Sequence, residues 1–277
     1  MLKVTIIGVD LAKNVFQLRG ATADRTAVLR KKLTRLLYER FMAGHHPCTV
    51  AMEASAGAHH WARKFTRCGC QVLLIGLHYV KPFLKRQKHD AADAEAIVEA
   101  ALRPTMRFFE TKTAEQRAQA VAFRMRGQHL KQRTNSINVL RGYLYEFGFI
   151  APEGFAHVPD LAKIVKHRRS DLPDIVSDLC KKVLTHMAEL TEHLADLGAK
   201  IAAVSQTSSM PRQLQKIQGI GPIGALAIET VAPPMHLFRR ARDFAAWSGL
   251  FPGSIPRSGS SDSGRPPRMV SVTFDGY

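Results

Sequence analysis

Ile6-Ile7-Gly8-Val9-Asp10-Leu11-Ala12-Lys13 is the stretch whose reading decides the fold. A run of β-branched and aliphatic residues interrupted by Gly8 reads as a buried strand, and a second strand-like run, Asn14 to Gly20, follows it as the return arm of a hairpin. Asp10 stands where an apolar residue is expected. A buried carboxylate without a partner is costly, so Asp10 calls for a cation or a hydrogen-bond donor. The competing reading is a turn-capping aspartate before Lys13.

Outward from that hairpin, strand and helix alternate. Thr5 to Val9, Val15 to Arg19, Cys48 to Met52 and Gln71 to Ile75 read as strands, with Val28 to Arg30 as an added edge. Helices are expected from Lys31 to Ala43, Ala58 to Arg67 and His89 to Leu102. This order indicates an α/β sheet with helices packed on it, over residues 1–110. Acids fall where elements end. Asp10 closes one strand and Glu53 another, while Asp90 and Asp93 open a helix, three residues apart and therefore on one face. Several carboxylates from separate segments suit a hard divalent ion, and two such ions about 4 Å apart activate an attacking oxygen and stabilise a leaving one at a phosphodiester. Read singly, Asp90 is also an ordinary helix N-cap, Asp93 a dipole partner and Glu53 a strand end.

The composition points to the same class of partner. The 277 residues include 40 Lys and Arg against 23 Asp and Glu, a formal charge of +17, with the excess spread along the chain. Such a field favours a polyanion, nucleic acid above all. The hydrophobic share of 45% is enough for a real core. The four cysteines, Cys48, Cys68, Cys70 and Cys180, form no Cys-x-x-Cys pair. Neither a signal peptide nor an apolar run of membrane-spanning length is visible, which leads us to expect a reducing, cytoplasmic setting without a membrane partner. Cys68-Gly-Cys70 beside His59 and His60 is poorly spaced for tetrahedral zinc, and packing is the expected role.

After Pro104 the alternation stops. Residues 111–210 read as a helical, coiled-coil-like region. One helix runs from Ala114 to Phe147 and carries Arg117, Arg124, Arg126, Lys131, Arg133 and Arg141. A second, Leu179 to Val204, repeats Leu184, Met187, Leu190, Leu194, Leu197 and Ile201 at helix-pairing intervals. Pro152 to Pro173 reads as a less regular connection. The basic residues suit a phosphate backbone or, equally, a solvated helix face. Then comes Lys216-Ile217-Gln218-Gly219-Ile220-Gly221-Pro222-Ile223-Gly224 before a helix from Ala225 to Val231. Glycines that allow close backbone approach, followed by the open amides of a helix start, form a helix-hairpin-helix signature for phosphate. A plain inter-helix turn is the alternative.

Taken together, Gly8-Val9-Asp10-Leu11-Ala12-Lys13, Met52-Glu53-Ala54-Ser55 and Asp90-Ala91-Ala92-Asp93-Ala94 resemble, in order and spacing, the DEDD-motif transposases of bacterial insertion sequences related to Piv-type DNA invertases. Gln132-Arg133-Thr134, Ile137-Asn138, Leu140-Arg141-Gly142 and the run from Ala241 to Pro252 extend the resemblance. It implies an RNase H-like, RuvC-like N-terminal domain in which Asp10, Glu53, Asp90 and Asp93 are catalytic and bind Mg²⁺ or Mn²⁺. It also implies a small α-helical C-terminal transposase domain, here residues 211–252. Lys216, Gly219, Gly221 and Gly224 there, with Arg133 and Arg141 of the helical region, are the candidate nucleic-acid contacts. Such transposases cut and rejoin DNA through a serine–DNA linkage and work as oligomers. Some are directed by an element-encoded RNA.

Beyond Pro252 the quoted resemblance ends. A family segment like Gln-His-Ser-Thr-Gly-Gly-Lys, which carries the nucleophilic serine, has no counterpart in place, and Ser258 is displaced from it. Read in the frame that starts at the third base of each codon, Gly253 to Pro256 permits Gln-His-Ser and Met269 to Tyr277 permits Gly-Gln-Arg-Asp-Ile-Arg-Trp-Leu. The expectation is a frameshift near codon 253, a poorly ordered tail over 253–277, and a chain that lacks its nucleophile. A structure-specific metal-dependent nuclease and a non-catalytic DNA-binding remnant are the rival readings.

Overall fold

A computed structural model of the chain describes residues 4–24, 26–84, 90–167, 171–233 and 235–247. The expected tail, 253–277, lies outside them. By contacts the chain divides into two compact units, 1–114 with 233–277, and 115–232.

The first unit is built on a six-stranded sheet in the order β3-β2-β1-β4-β5-β6. β1 (Ile6–Leu11), β2 (Val15–Ala21) and β3 (Ala27–Thr34) form an antiparallel meander, whereas β4 (Thr49–Glu53) and β5 (Gln71–Ile75) continue parallel to β1. A short β6 (Phe108–Phe109) closes the far edge antiparallel to β5. Helices α1 (Arg35–Ala43), α2 (Ala58–Arg67), α3 (Leu77–Val80) and α4 (Asp90–Ala101) complete this part of the unit. The mixed sheet with its helices is the α/β, RNase H-like arrangement expected from the sequence.

The two faces of the sheet are unlike. Ile7, Val9, Val50, Met52 and Leu74 pack with Phe16, Tyr38, Trp61 and Phe65 in one core, on the side of α1 and α2. The rings there meet at tilted, edge-on or stacked angles with centroids 4.8–5.6 Å apart. Pairs of this kind add about 0.5–1.5 kcal/mol each beyond the area they bury. Ile6, Ala51 and Ile75 belong to a second core with Ala96, Ile97, Val98 and Ala100 of α4. Small residues on this face let α4 come close. A Cβ on Gly8 would lie 2.5 Å from the Ala94 carbonyl oxygen and 2.5 Å from Val98 Cγ2, so the helix backbone rests directly on β1 where only glycine fits.

The short β6 and α3 were not anticipated, and two further elements differ from the sequence reading. Lys31–Thr34 extends β3 and does not begin α1, because Leu33 is registered with Phe16 and Lys31 with Leu18 along the hairpin partner. An edge strand with one solvated face tolerates Arg30, Lys31 and Lys32, and the same charges guard it against further pairing. The connection from Pro152 to Pro173 contains a helix, α6 (Val158–His167), whose Leu161 and Val165 are buried.

The second unit is helical. α5 (Ala114–Tyr145) and α7 (Asp174–Thr207) are its long members, followed by α8 (Ser209–Leu214) and α9 (Pro222–Val231). Ile137, Leu140, Leu144, Leu161, Val165, Cys180 and Met187 form its core, and Met187, Leu190, Leu194 and Ile201 of the anticipated seam are buried. The Thr230 hydroxyl bonds Gln119 Oε1 at 2.8 Å and so ties α9 to α5. α10 (Ala241–Trp247) falls in the first unit by contacts. Among the described residues no helix is long and apolar enough to cross a membrane.

Because the added methyl of Gly8→Ala meets a helix backbone, the substitution should destabilise the first unit by about 2–3 kcal/mol, measured as a drop in the urea midpoint. Gly127→Ala on α5, where a Cβ meets nothing within 4 Å, is the control that should leave the midpoint unchanged or slightly raised.

Candidate functional site

The register of the sheet sets two of the four acids side by side. Val9 is paired with Met52 across the parallel β1–β4 ladder, so Asp10 and Glu53 are the next residues along neighbouring strands. Side chains alternate along a strand, and Ile7 and Val9 point into the aromatic core, so Gly8 and Asp10 face α4. Met52 likewise faces the aromatic core and Ala51 faces α4, which puts Glu53 on the α4 side as well. Asp93 precedes Ala94, the residue whose carbonyl abuts Gly8. The close approach of α4 therefore carries Asp93 to the strand ends. Asp10, Glu53 and Asp93 are all half-buried. Asp90 begins α4, and its side chain lies outside the described residues.

Electrostatics reports the same gathering. Burial first, then the charges of Asp10 and Asp93, push the Glu53 carboxyl above its ordinary range, while Lys81 opposes them. Carboxylates that raise one another's proton affinity form a donor set with room for positive charge, and oxygen ligands of this kind suit a hard divalent ion. Among the described residues no three His, Cys, Asp or Glu side chains stand close enough together to hold a metal ion.

The candidate nucleic-acid contacts lie in the second unit. Lys216, Gly219 and Gly221 are exposed between α8 and α9, and Gly224 sits in the first turn of α9. Gly219 has φ +89°, a left-handed turn that favours glycine. Gly221 has an ordinary φ of −84°, and a Cβ there would meet nothing within 4 Å, so internal packing does not require glycine at that point. Its bareness suits close approach from outside, toward amides at a helix start. Arg133 and Arg141, expected as nucleic-acid contacts or as a solvated face, are both engaged with the chain itself. Arg133 lies 4.0 Å over the Phe155 ring, and Arg141 Nη2 donates to the carbonyls of Pro152 at 2.7 Å and Gly154 at 2.9 Å. Phe155 was not singled out from the sequence, since a lone aromatic in a connection carries no periodic signal.

The raised Glu53 value has a thermodynamic consequence. The folded chain holds that proton more tightly than the unfolded one, so the stability contribution is greatest below the ordinary carboxylate range and is lost as pH rises through the raised value. Glu53→Gln should accordingly raise Tm near pH 7, by about 1–3 °C, and the gain should vanish near pH 4, about the unfolded carboxylate value. Thermal scans of both proteins across that range measure it. A Tm for Glu53→Gln below that of the parent at neutral pH would contradict the crowding of charge at this site.

Comparison with known proteins supplies the lineage of this arrangement. Residues 7–148 match a DEDD transposase family model, and residues 212–271 match the model described as the transposase IS116/IS110/IS902 family. The second match runs past Pro252, where the resemblance quoted from the sequence ends. A transposase-named protein of Sinorhizobium fredii, y4pF/y4sB, is 39% identical over 246 residues, which are 89% of this chain and 63% of that one. The transposase for insertion sequence element IS1328 of Yersinia enterocolitica is 34% identical over 94% of this chain and 78% of its own. That for IS1111A of Coxiella burnetii is 33% identical over 94% and 71% respectively. The chain thus spans less than two thirds of the Sinorhizobium relative. With more than half of its length matched by one model and relatives of this identity, the chain belongs to the DEDD transposases of the IS110/IS116/IS902 type.

Proposed function

We infer that this chain is an insertion-sequence transposase of the kind that breaks and joins DNA strands, defective for the joining step because its own frame lacks the serine nucleophile, with Asp10, Glu53, Asp90 and Asp93 as its acidic centre. The observation that carries the reading is the placement of Asp10 and Glu53 at adjacent ends of parallel strands, both facing the helix that starts with Asp90 and Asp93. DEDD transposases generally use divalent metal ions, and transposases bind DNA. The four carboxylates would hold Mg²⁺ or Mn²⁺, which when bound supplies Lewis-acid stabilisation to a scissile phosphate. This chain's own groups do the rest. Lys81, on the far side of Glu53's charge balance, tempers the negative field that would repel a phosphate. The Gly219–Gly224 turn and Lys216 would grip the backbone at a distance from the acids in sequence.

The division of labour follows the chain: residues 1–110 for the acidic chemistry, 111–210 for helical pairing, 211–252 for the transposase-type DNA contact. Self-association is supported by Val121 and Met125, exposed one turn apart on α5. An element-encoded RNA is a further partner consistent with the +17 charge. The serine step is assigned to the segment that the shifted frame after codon 252 would encode. Hydrolysis by water is the second reading, favoured because the acids alone suffice for it.

Expected behaviour separates these. With Mg²⁺, the chain should nick branched DNA carrying the element's ends, and Asp10→Ala and Glu53→Gln should each reduce nicking to background without weakening DNA binding. A covalent protein–DNA product only after restoring the shifted frame supports the serine assignment; nicking without any such product in both forms supports hydrolysis. Nicking that survives Asp10→Ala would remove the acidic centre from the mechanism.

DNA affinity should fall log-linearly with salt through counterion release, and Lys216→Glu should weaken it and flatten the slope by about one to two charges. Titrations followed by fluorescence anisotropy measure both. Affinity unchanged across salt would rule out the electrostatic account.

A further inference from the structure

Helix α5 and the segment that returns after it flank an open recess of about 470 Å³, lined by Arg133, Thr134, Asn138 and Arg141 from the helix and by Glu153 and Phe155 opposite. The volume falls in the range of roughly 300–1,000 Å³ typical of small-ligand sites. Its far wall is built, not incidental. Arg141 Nη2 pins the wall by its bonds to the Pro152 and Gly154 carbonyls, and Gly154, at φ +99°, turns the chain back toward the helix. Arg133 then closes over one face of the Phe155 ring at 4.0 Å. Phe155 remains 49% exposed, so ring surface is still open to a second planar group.

The donor pattern narrows the occupant. Arg133 and Arg141 bring two guanidinium groups to the helix side of the recess, and Arg133 is partly buried there with the charge of Arg126 two turns away on α5. The buried Nε atoms of Arg126 and Arg141 have no hydrogen-bond partner among the described residues. Glu153 on the opposite wall would repel a bare phosphate or a carboxylate metabolite, but it accepts readily from an amino group. Thr134 and Asn138 donate and accept. A ligand with an anionic end, a planar face and an amino-bearing edge satisfies all of these at once.

We propose that the recess is a subsite for one unpaired nucleotide of a nucleic-acid strand, its phosphate on Arg133, its base against Phe155 and its edge read by Asn138, Thr134 and Glu153. The inference rests on the reading of the chain as a nucleic-acid-binding protein. Stacking on an aromatic ring and bonding of the exposed base edge are available only where a base has left the duplex.

The test uses the full chain and labelled duplexes that differ in one feature: fully paired, with a single-nucleotide bulge, and with the same bulge abasic, each as DNA and as RNA. The bulged form should bind about tenfold tighter than the paired form, with the abasic bulge losing that preference. Preference in the DNA arm or the RNA arm identifies which strand supplies the nucleotide. Phe155→Leu and Asn138→Ala, both at exposed side chains and checked by circular dichroism, should abolish the preference while paired-duplex affinity stays within about twofold. Equal binding of paired and bulged forms, or an equal loss on both in the two variants, overturns the subsite and leaves the broader nucleic-acid reading standing. Failure to bind any of the six duplexes would overturn both.

Discussion

The contact on which the first unit depends is that between the backbone of α4 and the Cα of Gly8. With the Ala94 carbonyl and Val98 Cγ2 each 2.5 Å from where a Cβ would stand, helix and strand are as close as two backbones can be. Any side chain at this position would lift α4 away. The acids depend on that separation because Asp10 lies two residues along the strand from Gly8 and Asp93 one residue before Ala94. The spacing between these acids is thus set by an atom that is absent from a glycine.

The two faces of the sheet make this asymmetry possible. Tyr38, Trp61, Phe65 and Phe16 fill the gap on one side with rings, so α1 and α2 stand off and leave a thick apolar layer. On the other, Ala51, Ala96 and Ala100 sit among Ile6, Ile75, Ile97 and Val98 and leave a thinner layer. Most of the hydrophobic stabilisation sits in the ring layer, since large apolar side chains contribute about 1.5–3 kcal/mol each when fully buried. The thin layer contributes position. Burial and the charges of Asp10 and Asp93 hold the Glu53 carboxyl above its ordinary range on this side of the sheet.

The helical unit shows that charge in a sequence does not reveal how a side chain is used. Lys216 is exposed beside a glycine turn with space around it, whereas Arg141, equally basic, bonds two backbone carbonyls and organises a wall. Arg133 lies between these cases, stacked on a ring at 4.0 Å yet lining an open recess. Membership in the IS110/IS116/IS902-type transposases places all three in a chain whose relatives are named for moving DNA, and the positive field of +17 is the common background.

By itself the sequence determined the order of β1, β2, β4, β5 and the helices α1, α2 and α4, the acids at element ends, most of the seam of α7 and the family. These are local signals: a run of apolar residues, a carboxylate out of place, and leucines at intervals of three and four. Tertiary structure alone decided that Lys31–Thr34 pairs as strand, since a basic edge strand is made by its neighbour β2 and carries little apolar alternation of its own. It also decided that Val158–His167 is a helix, because its ten residues are too short to announce themselves before Leu161 and Val165 find a core. Which acids share a face followed from the parallel register of β1 and β4 and the seat of α4 on Gly8, long-range pairings between residues more than forty positions apart. No window of sequence contains such a distance, and so the candidate residues were legible as a set while the shared face of Asp10 and Glu53 came only through the sheet.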